Sequence, residues 1–207
     1  FPSLGWRKGE SFYATSSPEV FRRHFLGLLS HRKSIVDIAS RVVSLYHAEI
    51  TSLFADKDAC RRVCNAPEMS NDEVTALLRM HDFSLCYVTR KATAGGIVWK
   101  ARNESLGVEC LTGDTPDKVR STLDRIKREA KEVAGARLQV LAATNLISHG
   151  VDLERINLMV VCGMPSHIAE YVQSSSRAAR SHPGLVVACY NCTDPREVSQ
   201  YEMFGSF

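Results

Sequence analysis

The chain has 207 residues, a hydrophobic content of 44% and a formal net charge of +3. That length suits one domain of ordinary size plus an appendage, and the apolar content is ample for a core. The charge gives weak support for nucleic-acid contact and none for a strongly basic polyanion-binding tail, no apolar stretch reaches the roughly 20 residues of a membrane span, and no signal-peptide pattern opens the chain.

Residues 1–17 are polar and aromatic without a period and read as an extended lead-in. Ser16, Ser17 and Pro18 suit a helix start, with Glu19 at its positive end. From Pro18 to about Phe54 the apolar positions repeat as in helices. Phe21, Phe25, Leu28 and Leu29 mark one face, and Ile35, Ile38, Val42, Leu45 and Tyr46 another. His31-Arg32-Lys33 is either a break between two helices or a basic exposed turn. Arg22, Arg23, Arg32, Lys33 and Arg41 make this arm basic, as a solvated helix face or as a nucleic-acid contact. Residues 55–70, with charges, two cysteines and Pro67, predict a loop or a short helix. Asn71-Asp72-Glu73 starts a helix through Met80. These elements form a helical linker or appendage over residues 1–81, with a sheet domain over 82–207.

From there strands and helices alternate. A strand at 84–89 precedes a helix at about 92–103, weakened by Gly95-Gly96. A strand at 107–111 and a turn at Gly113–Pro116 lead to a long charged helix, 116–134, with Val119, Leu123, Ile126 and Ala130 inward. Strands at 138–143 and 157–162, a helix at about 166–181, a strand at 185–190 and a final helix from about 194 complete the set. The alternation predicts an α/β fold with a parallel sheet and right-handed crossovers.

Seven cysteines without a secretion signal fit a reducing cytoplasm. Cys86, Cys110, Cys162 and Cys189 fall in strand-like apolar runs and read as buried thiols. Cys60/Cys64 and Cys189/Cys192 are close pairs that could in principle hold zinc. Because Cys189 reads as part of a strand, no metal site is expected.

Two segments carry chemistry. The apolar run Leu138–Thr144 leads into a polar loop containing Asn145, Gly150 and Asp152, and then into Ile156–Cys162. Open α/β sheets build ligand sites in such loops, at the carboxyl ends of strands. Gly150 permits close ligand approach. Asp152 either accepts from a ribose hydroxyl or caps an Asx turn. Further on, Gln173, Arg177 and Arg180 stand four and three apart, offsets that share one face of a helix. Arginine's fork of donors suits phosphate oxygens; the alternative is a solvated helix end.

Together the two segments resemble motifs V and VI of superfamily 2 helicases. Thr144, Asn145, Gly150 and Asp152 match T-(D/N)-x-x-x-x-G-x-D in register, and Gln173, Arg177 and Arg180 match Q-x-x-G-R-x-G-R. Leu85–Lys91 resembles motif IV, and Leu111-Thr112-Gly113-Asp114 resembles the segment that follows the next strand. The wording of Ser148–Asp152 and Tyr171–Arg177 is similar to helicases of the DISARM phage-defence type. Ser176 and Ala179 depart from the pattern, standing where many members have glycines. His149, beside Gly150, is either a nucleic-acid contact or a satisfied loop histidine.

The resemblance implies a RecA-like fold and the second lobe of a two-lobe, ATP-driven motor. No G-x-x-x-x-G-K-[ST] and no D-E-x-H occurs in the sequence. ATP and Mg2+ are therefore expected on an N-terminal RecA-like lobe of the same protein, of which this chain would be a piece, inactive by itself. The resemblance makes Arg180 the arginine finger and Arg177 its phosphate-binding partner, both expected near the edge where the strands terminate, and Gln173 the residue that orients nucleotide or water or couples the arginines to motif V. Gly150 and Asp152 would contact ribose. Thr89, Arg90, Thr112, Gly113, Thr144 and Asn145 would hold a nucleic-acid backbone, DNA favoured over RNA. The alternative is a stand-alone α/β module that binds a phosphate ligand or a partner and has no motor activity.

Overall fold

The computed structural model describes residues 23–112, 116–129, 137–144 and 155–204. In chain order these form β1 (Arg23–Ser30), α1 (Ile35–Ala55), α2 (Lys57–Cys64), α3 (Asn71–His81), β2 (Ser84–Val88), α4 (Lys91–Asn103), β3 (Val108–Leu111), α5 (Pro116–Glu129), β4 (Val140–Ala143), β5 (Leu158–Cys162), α6 (Ile168–Ser175), β6 (Gly184–Asn191) and α7 (Pro195–Glu202). The strands make one sheet in the order β1-β6-β5-β2-β4-β3, with every pairing parallel.

Successive residues of a strand point to opposite faces, and both faces here are covered. Leu85 and Tyr87 of β2 join Met159, Val161, Val186 and Tyr190 on one face, under Ile126 of α5 and the aromatic rings of Tyr171, Tyr201 and Phe204. Cys86 and Val88 join Val160, Cys162 and Val187 on the other, under Ala39 and Val43 of α1 and Ala94, Ile97 and Ala101 of α4. A smaller cluster of Ile50, Cys60, Val74 and Leu78 fastens α2 and α3 to the far half of α1.

Arg23–Ser30, read from sequence as helix, is instead an edge strand. It pairs with β6 from Arg23 opposite Gly184 to Ser30 opposite Asn191. Phe25 and Leu29 pack on one face of the sheet and Leu28 on the other. The run Phe25–Leu29 is apolar throughout and fits either period. The open edge of β6 decides between them, aided by Gly27, a poor helix former that a Cβ would press to 3.2 Å from the Phe204 ring. This stretch of the N-terminal segment is thus built into the sheet. His31-Arg32-Lys33 is an exposed turn between β1 and α1. In α1 the buried positions are Ala39, Ser40, Val43, His47 and Ile50, and Leu45, expected inside, is exposed.

Helix α4 forms in spite of Gly95-Gly96. A Cβ on Gly96 would stand 3.0 Å from Val36 Cγ1, so the missing side chain lets α1 and α4 pack closely, whereas Gly95 faces open space. Helices α1 and α3 start with reciprocal capping boxes, Ser34 with Asp37 and Ser70 with Glu73.

Polar side chains lock the edge where the strands begin. His47 Nδ1 lies 3.3 Å from Asp82 Oδ1, and its Nε2 lies 3.0 Å from Ser84 Oγ. Gln139 Nε2 donates to the same Asp82 oxygen at 3.0 Å. Arg155, buried against the Phe83 ring, donates to the carbonyls of Ile126 and Arg79. Burial pulls the pKa of its guanidinium below the usual arginine range.

Candidate functional site

The predicted site residues fall on two opposite edges of the sheet. At the edge where strands end, Thr89 and Arg90 follow β2, Thr144 follows β4 and Thr112 follows β3. Because β2, β4 and β3 are neighbours in the sheet, these residues form a row about 10 Å long, two strand spacings. Thr89 and Arg90 are exposed, Thr112 and Thr144 half-buried. The Thr144 amide donates to Leu111 O at 3.2 Å, which ties Thr144 to the residue before Thr112. Gly113, Asn145, His149, Gly150 and Asp152 lie outside the described residues.

Next to the row, Gly163 ends β5 at φ +86°, a conformation that favours glycine. A Cβ there would stand 3.3 Å from Thr89 Oγ1 and 3.6 Å from Glu197 Oε1. Glu197 is buried and accepts from the Asn191 amide at 2.7 Å. Arg196 reaches back to Met164 O at 2.9 Å. Sequence reasoning missed Gly163, Arg196 and Glu197, which brace the loops after β5 and β6. Only the offset Asp194-Pro195 at a helix start hinted at them.

The arginines lie at the other edge. Helix α6 begins beside the row, where Tyr87 Oη donates to Glu170 Oε1. Burial, together with the Glu170 carboxylate, pushes the pKa of the Tyr87 hydroxyl above its ordinary value. The helix runs back along the sheet and ends at Ser175, six residues short of the expected end. Gln173 sits exposed on its last turn. Arg177 and Arg180 follow in a turn, so the shared helical face expected for the three does not form. Ala179 adopts φ +55° and its amide donates to Ile156 O at 2.7 Å, just ahead of β5. Arg23, at the start of β1, donates to Ala178 O at 2.7 Å and to Ser176 O at 2.9 Å. These bonds end the helix where no glycine or proline would, and they hold the turn at the strand-start edge rather than at the strand-end edge that the sequence suggested. There Arg177 is half-buried and Arg180 exposed.

The thiols read as buried are so for Cys86, Cys162 and Cys189, while Cys110 is half-buried. Burial raises the pKa of Cys86 and Cys189 to about 12. Among the described residues, no three His, Cys, Asp or Glu side chains are grouped to hold a metal ion, and no helix is long and apolar enough to cross a membrane.

Comparison with known proteins agrees with this architecture. The family described as helicase conserved C-terminal domain matches residues 70–182. The DISARM protein DrmA of Bacillus paralicheniformis is 42% identical over 98 residues, which are 47% of this chain and 8% of that protein. The chain spans less than a third of the length of the curated relatives it matches. Among solved structures, the C-terminal domain of the DEAD-box protein Dbp5 superposes with a TM-score of 0.56 at 17% identity, covering 88% of this chain and 87% of that one. The DUF1998 helicase MrfA bound to DNA gives 0.59 at 13% identity, covering 89% and 22%. At these identities the likeness is one of fold.

Proposed function

The chain belongs to the helicase conserved C-terminal domain family, and we propose that it serves as the second motor lobe of an ATP-dependent superfamily 2 helicase or translocase. The observation that carries this reading is Arg180, exposed in the turn beyond α6 and in register with motif VI. A lobe that holds nucleotide needs it at its own strand ends. A lobe that only lends a guanidinium can present it from any exposed surface, so the strand-start location is compatible with a phosphate gripped by another lobe. Hydrolysis spreads negative charge over phosphoryl oxygens, and an arginine finger is worth roughly 10³–10⁵ in rate. In this proposal Arg180 supplies that charge, Arg177 and Gln173 support it, and Gly150 and Asp152 meet the ribose. ATP and Mg2+ are assigned to an N-terminal RecA-like lobe of the same protein.

The row Thr89, Arg90, Thr112 and Thr144, with Gly113 and Asn145, is assigned to the backbone of a nucleic-acid strand. Such contacts position a strand without reading its sequence. MrfA was solved with DNA and Mss116p with an RNA duplex, so the likeness accommodates either strand, and DNA is our proposed one. Separate edges for phosphate and strand leave room for both at once. Because β1 is a strand of the sheet, we place the start of the folded domain at β1 and read α2 and α3 as its helical appendage. Seven free thiols support a cytoplasmic setting.

The reading is tested on the 207-residue chain alone and on a protein that carries it together with the ATP-holding lobe. The lone chain should hydrolyse no ATP above background. The two-lobe protein should bind single-stranded DNA with an affinity that falls as salt rises. Robust hydrolysis by the lone chain, or binding indifferent to salt, would contradict it.

A further inference from the structure

A cleft of about 870 Å3 opens between the turn after β1, the start of α1, the last turns of α4 and the loop after β6. Four cations line it: Arg32, Lys33, Arg41 and Lys100. Two acids, Asp37 and Glu104, stand against them. Asp37 is already committed, with Lys100 Nζ 2.7 Å from its Oδ1 and Ser34 Oγ donating to its Oδ2 at 2.7 Å. Arg32, Lys33 and Arg41 are exposed and have no ion-pair partner among the described residues, so the cleft keeps an unspent positive charge.

Two neutral features narrow the ligand. Trp99, on the wall, is 64% exposed, an unusual position for an indole, with Lys100 Nζ over its ring at 6.0 Å from the centroid. Ser40, also lining the cleft, is only 6% exposed, and its hydroxyl has no hydrogen-bond partner within the described protein. A buried hydroxyl left unpaired is costly unless something outside the fold completes it. Cations for phosphate, a ring for a base and a spare hydroxyl together fit a nucleotide unit.

We infer that this cleft is a second nucleic-acid site, in which a base of a single strand stacks on Trp99 while Arg32, Lys33 and Arg41 hold its phosphates. The inference rests on the nucleic-acid reading of the strand-end edge. Residues 32–34 and 192–193 belong to that same edge, at β1 and β6, three and two strand spacings, or about 14 and 10 Å, from the row at β2. A strand lying on the row can therefore continue into the cleft. Stacking on an aromatic ring is tolerant of sequence, as a translocating lobe requires.

The test uses the 207-residue chain with Trp6→Phe, which leaves Trp99 as the single indole. A single-stranded oligothymidylate should quench Trp99 fluorescence to saturation, and binding followed independently by anisotropy of a labelled strand should show the same affinity. Trp99→Ala should weaken binding about 5- to 100-fold, with Trp99→Phe restoring most of it. Lys33→Ala and Arg41→Ala should each lower the slope of log affinity against log salt by about 0.7. Thr89→Ala with Arg90→Ala should weaken binding yet leave the saturated quench unchanged, which separates the cleft from the row. Three results would overturn the inference: bound oligonucleotide with no quench and an unaffected Trp99→Ala; quench by thymidine monophosphate as strong as by the oligomer, which marks a free-nucleotide pocket; or no oligonucleotide binding at all. None of these depends on ATP turnover, by which the motor reading stands or falls.

Discussion

Asp82→Ala is the sharpest probe of how the N-terminal segment joins the sheet. The Asp82 carboxylate can only accept, so His47 Nδ1, 3.3 Å away, carries a hydrogen toward it, and the Ser84 hydroxyl can then donate to Nε2. Gln139 Nε2 donates to the same oxygen at 3.0 Å. His47 is 1% exposed and Asp82 7%, so water does not replace the lost acceptor. Each stranded donor costs roughly 1–3 kcal/mol. Two of them predict a loss of about 3 kcal/mol, and for a chain of this size a fall in Tm of about 6–12 °C. The assay is urea unfolding followed by circular dichroism and, with Trp6→Phe in both proteins, by Trp99 fluorescence. Both signals should move together, because His47 lies on α1 while Asp82, Ser84 and Gln139 belong to the sheet side. The double variant with His47→Ala should lose about 1 kcal/mol less than the sum of the single losses, since both remove one network. A loss below about 1 kcal/mol, or two separate transitions, would mean that Asp82 does not tie α1 to the sheet.

Three further outcomes follow from the packing. A Cβ at Gly184 would stand 2.4 Å from Asn157 O and 3.0 Å from Ala179 Cβ, so Gly184→Ala should cost about 1–3 kcal/mol in denaturant unfolding and shift the turn that carries Arg180. The Lys100 and Ser34 hydrogen bonds lower the pKa of Asp37 from 3.8 to about 2. That contribution is present above pH ~4 and lost as pH falls toward 2; the Tm gap between the protein and Asp37→Asn should therefore close over that window. At pH 8 the native chain should be alkylated at exposed Cys64 and spared at Cys86, Cys162 and Cys189, whose burial disfavours the thiolate, as peptide mapping by mass spectrometry would show.

Much of the fold was legible because buried parallel strands are short apolar runs with polar ends. Ser84–Val88, Leu158–Cys162 and Gly184–Asn191 all have that form. Arg23–Ser30 was not, since Phe25–Leu29 is apolar at every side chain and only the neighbouring edge of β6 sets its period. The end of α6 was hidden for a related reason. Nothing in Ser174–Arg180 breaks a helix; bonds from Arg23 and to Ile156 O, distant in sequence, do so. Residue identity placed Thr89, Arg90, Thr112 and Thr144 at strand ends, and the sheet order turned them into a row. The cleft was beyond reach, because Trp99 is a lone aromatic on a helix and Lys33 and Arg41 read only as charge on a basic arm.

The central claim is that this lobe lends positive charge to a phosphate held elsewhere, and steady-state ATP turnover of the two-lobe protein with Arg180→Ala tests it most directly. Turnover should fall by about a hundredfold or more, with circular dichroism and single-strand binding unchanged. Turnover equal to that of the unaltered protein would contradict it.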